Sequence, residues 1–114
     1  MARPEKIGLD YFPLDVDIFE DEKIEAIAGE FGSSAELAVI KLLCAIYKKG
    51  YFIYWNELVK AQLLKRLPDL TADLLNKTVN RLIEWNFFDK QLFESEKILT
   101  SYNIQAVFFE ATKR

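Results

Sequence analysis

YFIYWNELVKAQLLKRLPDLTADLLNKTVNRLIEWNFFDKQLFESEKILTS, running from Tyr51 to Ser101, is the stretch whose reading decides the fold. Leu58, Ala61, Leu64 and Leu67 recur at helical spacing, Pro68 and Asp69 turn the chain, and a second helical stripe follows from Leu74 to Trp85. Phe87-Phe88-Asp89, a polar run from Lys90 to Lys97, and Ile98-Leu99-Thr100 then read as two short strands around a wing. Tyr51 to Trp55, rich in aromatic and β-branched residues, reads as the strand that pairs with that wing. Strand, helix, turn, helix and hairpin in that order describe a winged helix-turn-helix. The expected architecture is therefore mainly α, with a two- to three-stranded β-wing, five helices, an extended N-terminal arm and an extra C-terminal helix.

Working outward, Asn56 and Thr71 are the expected caps of the two helices of this motif, and Ser101 caps the C-terminal helix, with Ile104, Val107, Phe108 and Ala111 as its stripe. Upstream, Asp21 caps a helix carrying Ile24, Ile27, Ala28 and Phe31, which Gly32 ends. Ser33 or Ser34 starts a helix that is apolar nearly all round except for Glu36, Lys41, Lys48 and Lys49. So little polar surface places it at the centre. Gly8 and Pro13 interrupt any helix before residue 20, and Leu14, Val16 and Ile18 alternate with Asp15 and Asp17 at strand period. Residues 1–20 thus read as an extended arm packed on a winged-helix domain of residues 21–114, one domain in all. Leu43, Ile46, Leu64, Leu75, Val79 and Leu82 are the expected core.

Composition bounds the function. With 114 residues, 51% hydrophobic, the chain can bury one core. Its single cysteine, Cys44, lies in the apolar run Leu42 to Ile46 and has no intrachain partner. That excludes a disulfide scaffold and fits a reducing cytoplasm. The first residues lack the apolar segment of a signal peptide, and Leu37 to Tyr47 is too short to span a bilayer, so no membrane role is expected.

Catalysis has no evident machinery. The sequence contains no histidine and no Gly-rich phosphate loop, and Cys44 has no activating base beside it, so it reads as a small hydrophobe. Counted from Asp15, a calcium loop would need Gly and Glu at its sixth and twelfth positions, where Glu20 and Ala26 stand. A non-enzymatic protein without metal or cofactor is the expectation.

Net charge is −3, but residues 1–32 alone carry −6, which leaves +3 on the remainder. That balance weakens the case for a general DNA binder without excluding a local contact. On the helix after the turn, the outward positions are Asp73, Asn76, Lys77, Asn80, Arg81 and Glu84. Asn and Arg match adenine and guanine edges, and Lys matches phosphate. Asn76, Lys77, Asn80 and Arg81, with Lys90, Gln91 and Lys97 on the wing, are the candidate DNA contacts, and a solvated helix face is the alternative. The aromatic groups Tyr47, Tyr51, Phe52, Tyr54 and Trp55, and Trp85, Phe87, Phe88 and Phe93, lack interleaved basic residues and read as core rather than as base-stacking platforms. In the arm, Tyr11, Phe12, Leu14, Val16 and Ile18 supply too much apolar surface to remain in water. They must pack on their own domain or on a second subunit, which makes them the candidate oligomer contacts.

Several blocks also resemble a known family: Ala2-Arg3-Pro4, Gly8-Leu9-Asp10-Tyr11-Phe12-Pro13-Leu14-Asp15, Phe19 to Ile24, Ile40 to Leu43 with Tyr47 and Gly50-Tyr51, Phe88-Asp89, Ile98 to Ser101, and Phe109 to Arg114. They are similar to the N-terminal domain of phage and mobile-element replisome organisers and, more distantly, to that of the primosomal protein DnaD. Where members of that family often have Gly-Leu, this chain has Asn86-Phe87. The resemblance implies a winged helix joined to a separate C-terminal region, with a role in starting replication through DNA binding, self-association and recruitment of a replicative helicase. Two functions follow as expectations: a DNA-binding module of a replication initiator, or an assembly module of the same machinery without direct DNA contact.

Overall fold

The computed structural model describes residues 7–113; the parts of the arm and of the quoted blocks that fall on residues 1–6 and 114 lie outside the described residues. Among the described residues there are six α-helices and a two-stranded sheet: α1 (Glu22–Phe31), α2 (Ser33–Lys49), β1 (Ile53–Tyr54), α3 (Glu57–Lys65), α4 (Ala72–Glu84), α5 (Lys90–Glu96), β2 (Ile98–Leu99) and α6 (Tyr102–Thr112). The strands run antiparallel, with Ile53 opposite Leu99 and Tyr54 opposite Ile98.

Local chemistry sets most boundaries. The Asp21 carboxylate accepts from the Lys23 and Ile24 amides, Asn56 from Val59, Thr71 from Leu74 and Ser101 from Ile104, each occupying a helix-start N–H that would otherwise lack a partner. At the start of α2 the expected Ser cap is absent. Gly32, at φ +93°, both ends α1 and begins α2, with no side-chain cap bond. α2 is central as expected, packed against α1, α3, α4 and β1 and burying Ala38, Val39, Leu42, Leu43, Ile46 and Tyr47. Cys44 departs from the reading of a packed small hydrophobe: its side of α2 is uncovered and the thiol is exposed.

Two sequence readings are corrected. On α3 the buried position is Leu63, with Val59 and Leu64 half-buried on either side of it, and Leu67 and Leu70 beyond the helix are buried. Leu58 and Ala61 are exposed. The expected and the observed sets both carry apolar residues at helical spacing, so periodicity alone could not choose between them. The second correction is the wing. Phe87-Phe88 is not a strand and Lys90–Glu96 is not a loop but a helix, so the sheet has two strands, the lower end of the expected two to three.

The cause lies at the end of α4. Asn86 adopts φ +62°, and the Phe87 and Phe88 amides both donate to the Leu82 carbonyl. This left-handed helix ending is normally given to Gly and is tolerated by Asn. Phe88 thereby enters the core fully buried. The Asp89 carboxylate then caps α5 by accepting from the Leu92 amide at 2.9 Å, and Lys97, in the left-handed region, ends it. From Lys90 to Glu96 five of the seven residues, Lys90, Gln91, Leu92, Glu94 and Glu96, are good helix formers.

On α4 the expected inward face holds: Leu75, Val79, Leu82 and Ile83 are buried. Thr78 joins them, its hydroxyl satisfied by the Leu74 carbonyl at 2.8 Å. The Thr100 hydroxyl donates to the Tyr51 carbonyl and ties the sheet edge to the start of α6. Most of the aromatic residues do pack, although Tyr54 stays exposed. Among the described residues no helix is long and apolar enough to cross a membrane.

Candidate interaction surfaces

The outward face of α4 carries Asn76, Lys77, Asn80 and Arg81 together, as read from the spacing, but its cations are already engaged. Arg81 donates from Nε and Nη2 to Glu30 of α1, at 3.0 and 2.8 Å, and from Nη1 to Glu84 at 3.1 Å. Its guanidinium also lies 5.8 Å from the Trp85 ring centre. Lys77 Nζ is 3.1 Å from Asp73. The Arg81 hydrogen bonds hold the Glu30 carboxyl below its ordinary range, and Glu30 in turn raises the guanidinium further. Asn80 is exposed and Asn76 half-buried. Lys90 and Gln91 sit on the first turn of α5, beside Asn86, Asp89 and Glu94. Lys97 ends the same helix, its ammonium 4.8 Å from the Phe93 ring centre. The seven residues of α5 separate Lys90 from Lys97 by about 10 Å at 1.5 Å per residue, so these cations stand at the two ends of a helix rather than on a hairpin loop.

The arm divides its apolar residues between two fates. The Leu9 amide donates to the Tyr47 carbonyl at 2.8 Å, and Phe12 stacks on the Tyr47 ring at 4.5 Å. Burial beneath this contact pushes the Tyr47 phenol up. Gly8 makes the approach possible, since a Cβ there would stand 1.8 Å from the Lys48 carbonyl oxygen. Phe12 and Ile18 are therefore half-buried on their own domain. Tyr11 and Val16 instead remain 86% and 92% exposed, and Leu14 and Phe19 are exposed as well. The expected strand over Leu14 to Ile18 does not form. The Asp15 carboxylate accepts from the Asp17 amide and the Asp15 carbonyl from Ile18, a turn that leads into a single 3-10 turn, Ile18–Glu20. A cavity of about 690 Å³ lies between the arm, Leu43 and Tyr47 of α2, Phe87, and Ile104 and Val107 of α6.

A third surface escaped the sequence reading. Ala45, Ile53, Val59 and Leu63 floor a groove of about 350 Å³ between α2 and α3. Lys48, Lys49 and Arg66 form its rim, with Gln62 beside them. Among the described residues, none of Lys48, Lys49, Lys65 and Arg66 has a carboxylate within ion-pair distance. The available signal was charge spacing: residues 37–56 and 58–68 contain no Asp or Glu.

A helical domain with a tied-down acidic arm, a neutralised helix face and a basic groove whose cations lack carboxylate partners among the described residues is the class of structure that these surfaces define. A family model described as Lin1244/Lin1753-like, N-terminal, matches residues 11–104, and the chain belongs to that family. It is 39% identical over 114 residues to the uncharacterized phage-related protein Lin1244/Lin1753 of Listeria innocua serovar 6a, covering all of this chain and 37% of that protein. The chain thus spans little more than a third of the relative's length. No solved structure matches it.

Proposed function

We propose that this chain is a protein-protein assembly module, without an enzymatic activity of its own, in a phage-type replication-initiation protein of the replisome-organiser kind. The observation that carries this reading is the arm: Tyr11 and Val16 are almost fully exposed on a segment that Gly8, Leu9 and Phe12 fasten to α2. Apolar side chains held out by a fastened segment have the character of an interface. A relative whose printed name is phage-related, and the resemblance to replisome organisers, supply the replication context. The cytoplasm is the corresponding location. Within the winged-helix reading, α3, the turn and α4 are the helix-turn-helix, β1 with β2 is the remaining sheet, and α5 stands where a wing hairpin would be. Sedimentation of the chain with and without residues 1–19 tests the assembly role. A fall in both apparent mass and thermal midpoint is expected. A full-length chain that is monomeric at about 100 μM, well above the Kd of a stable dimer, would overturn it.

A second reading keeps a weak duplex-DNA contact on α4, because Lys77, Asn80 and Arg81 do share one solvent-facing side. The two cations are matched by Asp73, Glu30 and Glu84, so phosphate would have to displace carboxylates already in place. Replacing Lys77 and Arg81 with Ala should then reduce affinity and flatten its salt dependence by roughly one log unit of slope per lost phosphate contact. Unchanged binding in the double variant sinks this reading.

A further inference from the structure

We propose that the α2–α3 groove receives the acidic arm of a second copy of this chain, and that two such contacts close a two-fold dimer. The inference rests on the assembly reading and adds the surface on which the arm lands.

The two surfaces are complementary in both charge and apolar content. On the arm, Val16 projects from the turn that Asp15 closes, with the carboxylates of Asp15 and Asp17 on either side of it and Glu20 one turn on. None of these three carboxylates has a cation within ion-pair distance among the described residues. On the groove, an apolar floor of Ala45, Ile53, Val59 and Leu63 lies under Lys48, Lys49 and Arg66, cations without a carboxylate partner among the described residues. Lys41 Nζ donates to the Arg66 carbonyl at 2.8 Å, which adds positive charge at the end of α3 and fixes the wall. A small branched side chain with flanking carboxylates fits a shallow apolar floor ringed by cations, and charge complementarity then sets its register.

The arm begins against the Lys48 carbonyl and follows α2 along Tyr47, while the groove lies beside Ala45, Lys48 and Lys49 of the same helix end. The root of the arm, Gly8 and Leu9, therefore lies beside the groove of its own chain, while Asp15 and Ile18 lie toward Asp21, Phe87 and α6, away from that groove. The arm's carboxylates are thus left for the groove of a second copy, and two reciprocal contacts of this kind form a closed dimer.

A reciprocal charge swap tests it. One variant reverses the arm, Asp17→Lys with Glu20→Lys, and leaves Asp15 to hold the turn. The other reverses the groove, Lys48→Glu with Lys49→Glu. All four side chains are exposed, and circular dichroism checks that both variants fold. Each variant alone should dimerise at least about tenfold more weakly than the parent, because both contacts of its homodimer then juxtapose like charges. Mixed one to one, the two should recover parental mass in sedimentation, since the mixed pair restores opposite charges at both contacts. A groove variant that dimerises like the parent, while the arm variant does not, overturns the groove as the landing site and leaves the assembly reading standing. A parent chain that is monomeric at about 100 μM overturns both. A groove variant of unchanged mass that loses duplex DNA bound by the parent assigns the cations to phosphate, and that also overturns the proposal.

Discussion

α4 and the N-terminal arm are built from the same ingredients, large apolar residues interspersed with charged ones, and the fold treats them in opposite ways. α4 buries Leu75, Val79, Leu82 and Ile83 and neutralises Lys77 and Arg81 with carboxylates from itself and from α1. The arm leaves Tyr11, Leu14, Val16 and Phe19 exposed, and Asp15, Asp17 and Glu20 without cations among the described residues. The difference is one of periodicity. A helix gathers every third or fourth side chain onto one face, so a single docking event satisfies the apolar stripe and leaves the charges facing neighbouring helices. A chain that turns at Asp15 and winds briefly at Ile18 presents its side chains in several directions. Among the described arm residues, its own domain partly covers Leu9, Phe12 and Ile18. What α4 finishes within the domain, the arm leaves for a partner.

The largest expected effect lies on the finished side. Leu82 is fully buried, and its carbonyl accepts the amides that shape the end of α4. Leu82→Ala should cost about 2 to 5 kcal/mol through the cavity it leaves, read from urea unfolding. A loss within about 0.5 kcal/mol, the range of surface sites, would refute the packing of α4.

Gly8→Ala sharpens the comparison on the unfinished side. Nothing in the core changes, but the added methyl cannot coexist with the Lys48 carbonyl, so the arm must lift from α2. The Leu9 hydrogen bond and the Phe12–Tyr47 stack are then lost, together about 1 to 3 kcal/mol at ordinary values for each. For a domain of about 100 residues that is a drop of several degrees in thermal midpoint. Protease cleavage near Tyr11 should become faster at the same time. An unchanged melt would mean that the arm is not fastened by this contact.

How much of this was legible in the sequence follows the range of the interactions. Caps at Asp21, Asn56, Thr71 and Ser101 act over two or three residues and were readable from single positions. The inward face of α4 was readable because one stripe was plainly more apolar than the rest. The wing is not legible in this way, because Phe87-Phe88 has strand propensity, whereas the left-handed Asn86 and the Asp89 cap fix a turn and a helix there. The partner of Arg81 was not legible at all: Glu30 stands 51 residues away and reaches Arg81 only across the packing of α1 on α4. The basic groove had a readable sign in its acid-free segments, although its apolar floor needed the phase of α3, which the sequence left ambiguous.

The smallest expected effect breaks the comparison from the α4 side by removing its neutralising partner. In Glu30→Gln, Arg81 keeps Glu84 but loses the charged partner on α1, where the amide leaves one acceptor oxygen in place of two. Both partners are substantially solvent-exposed, so the change in stability should be slight and largely screened in about 1 M salt. Its pH dependence identifies it. Because Arg81 holds the Glu30 carboxyl below its ordinary range, the parent's advantage is fully present above the ordinary carboxylate value and disappears as pH falls through the lowered one. Urea midpoints of parent and variant measured across that range should therefore converge in acid and separate toward neutrality. A gap that stays constant or widens as pH falls would show that Glu30 acts by packing rather than by charge. The same variant leaves Arg81 one carboxylate instead of two. If α4 touches duplex DNA, its affinity at low salt should rise, and if assembly through the arm is the whole of the function, neither DNA retention nor sedimentation should change.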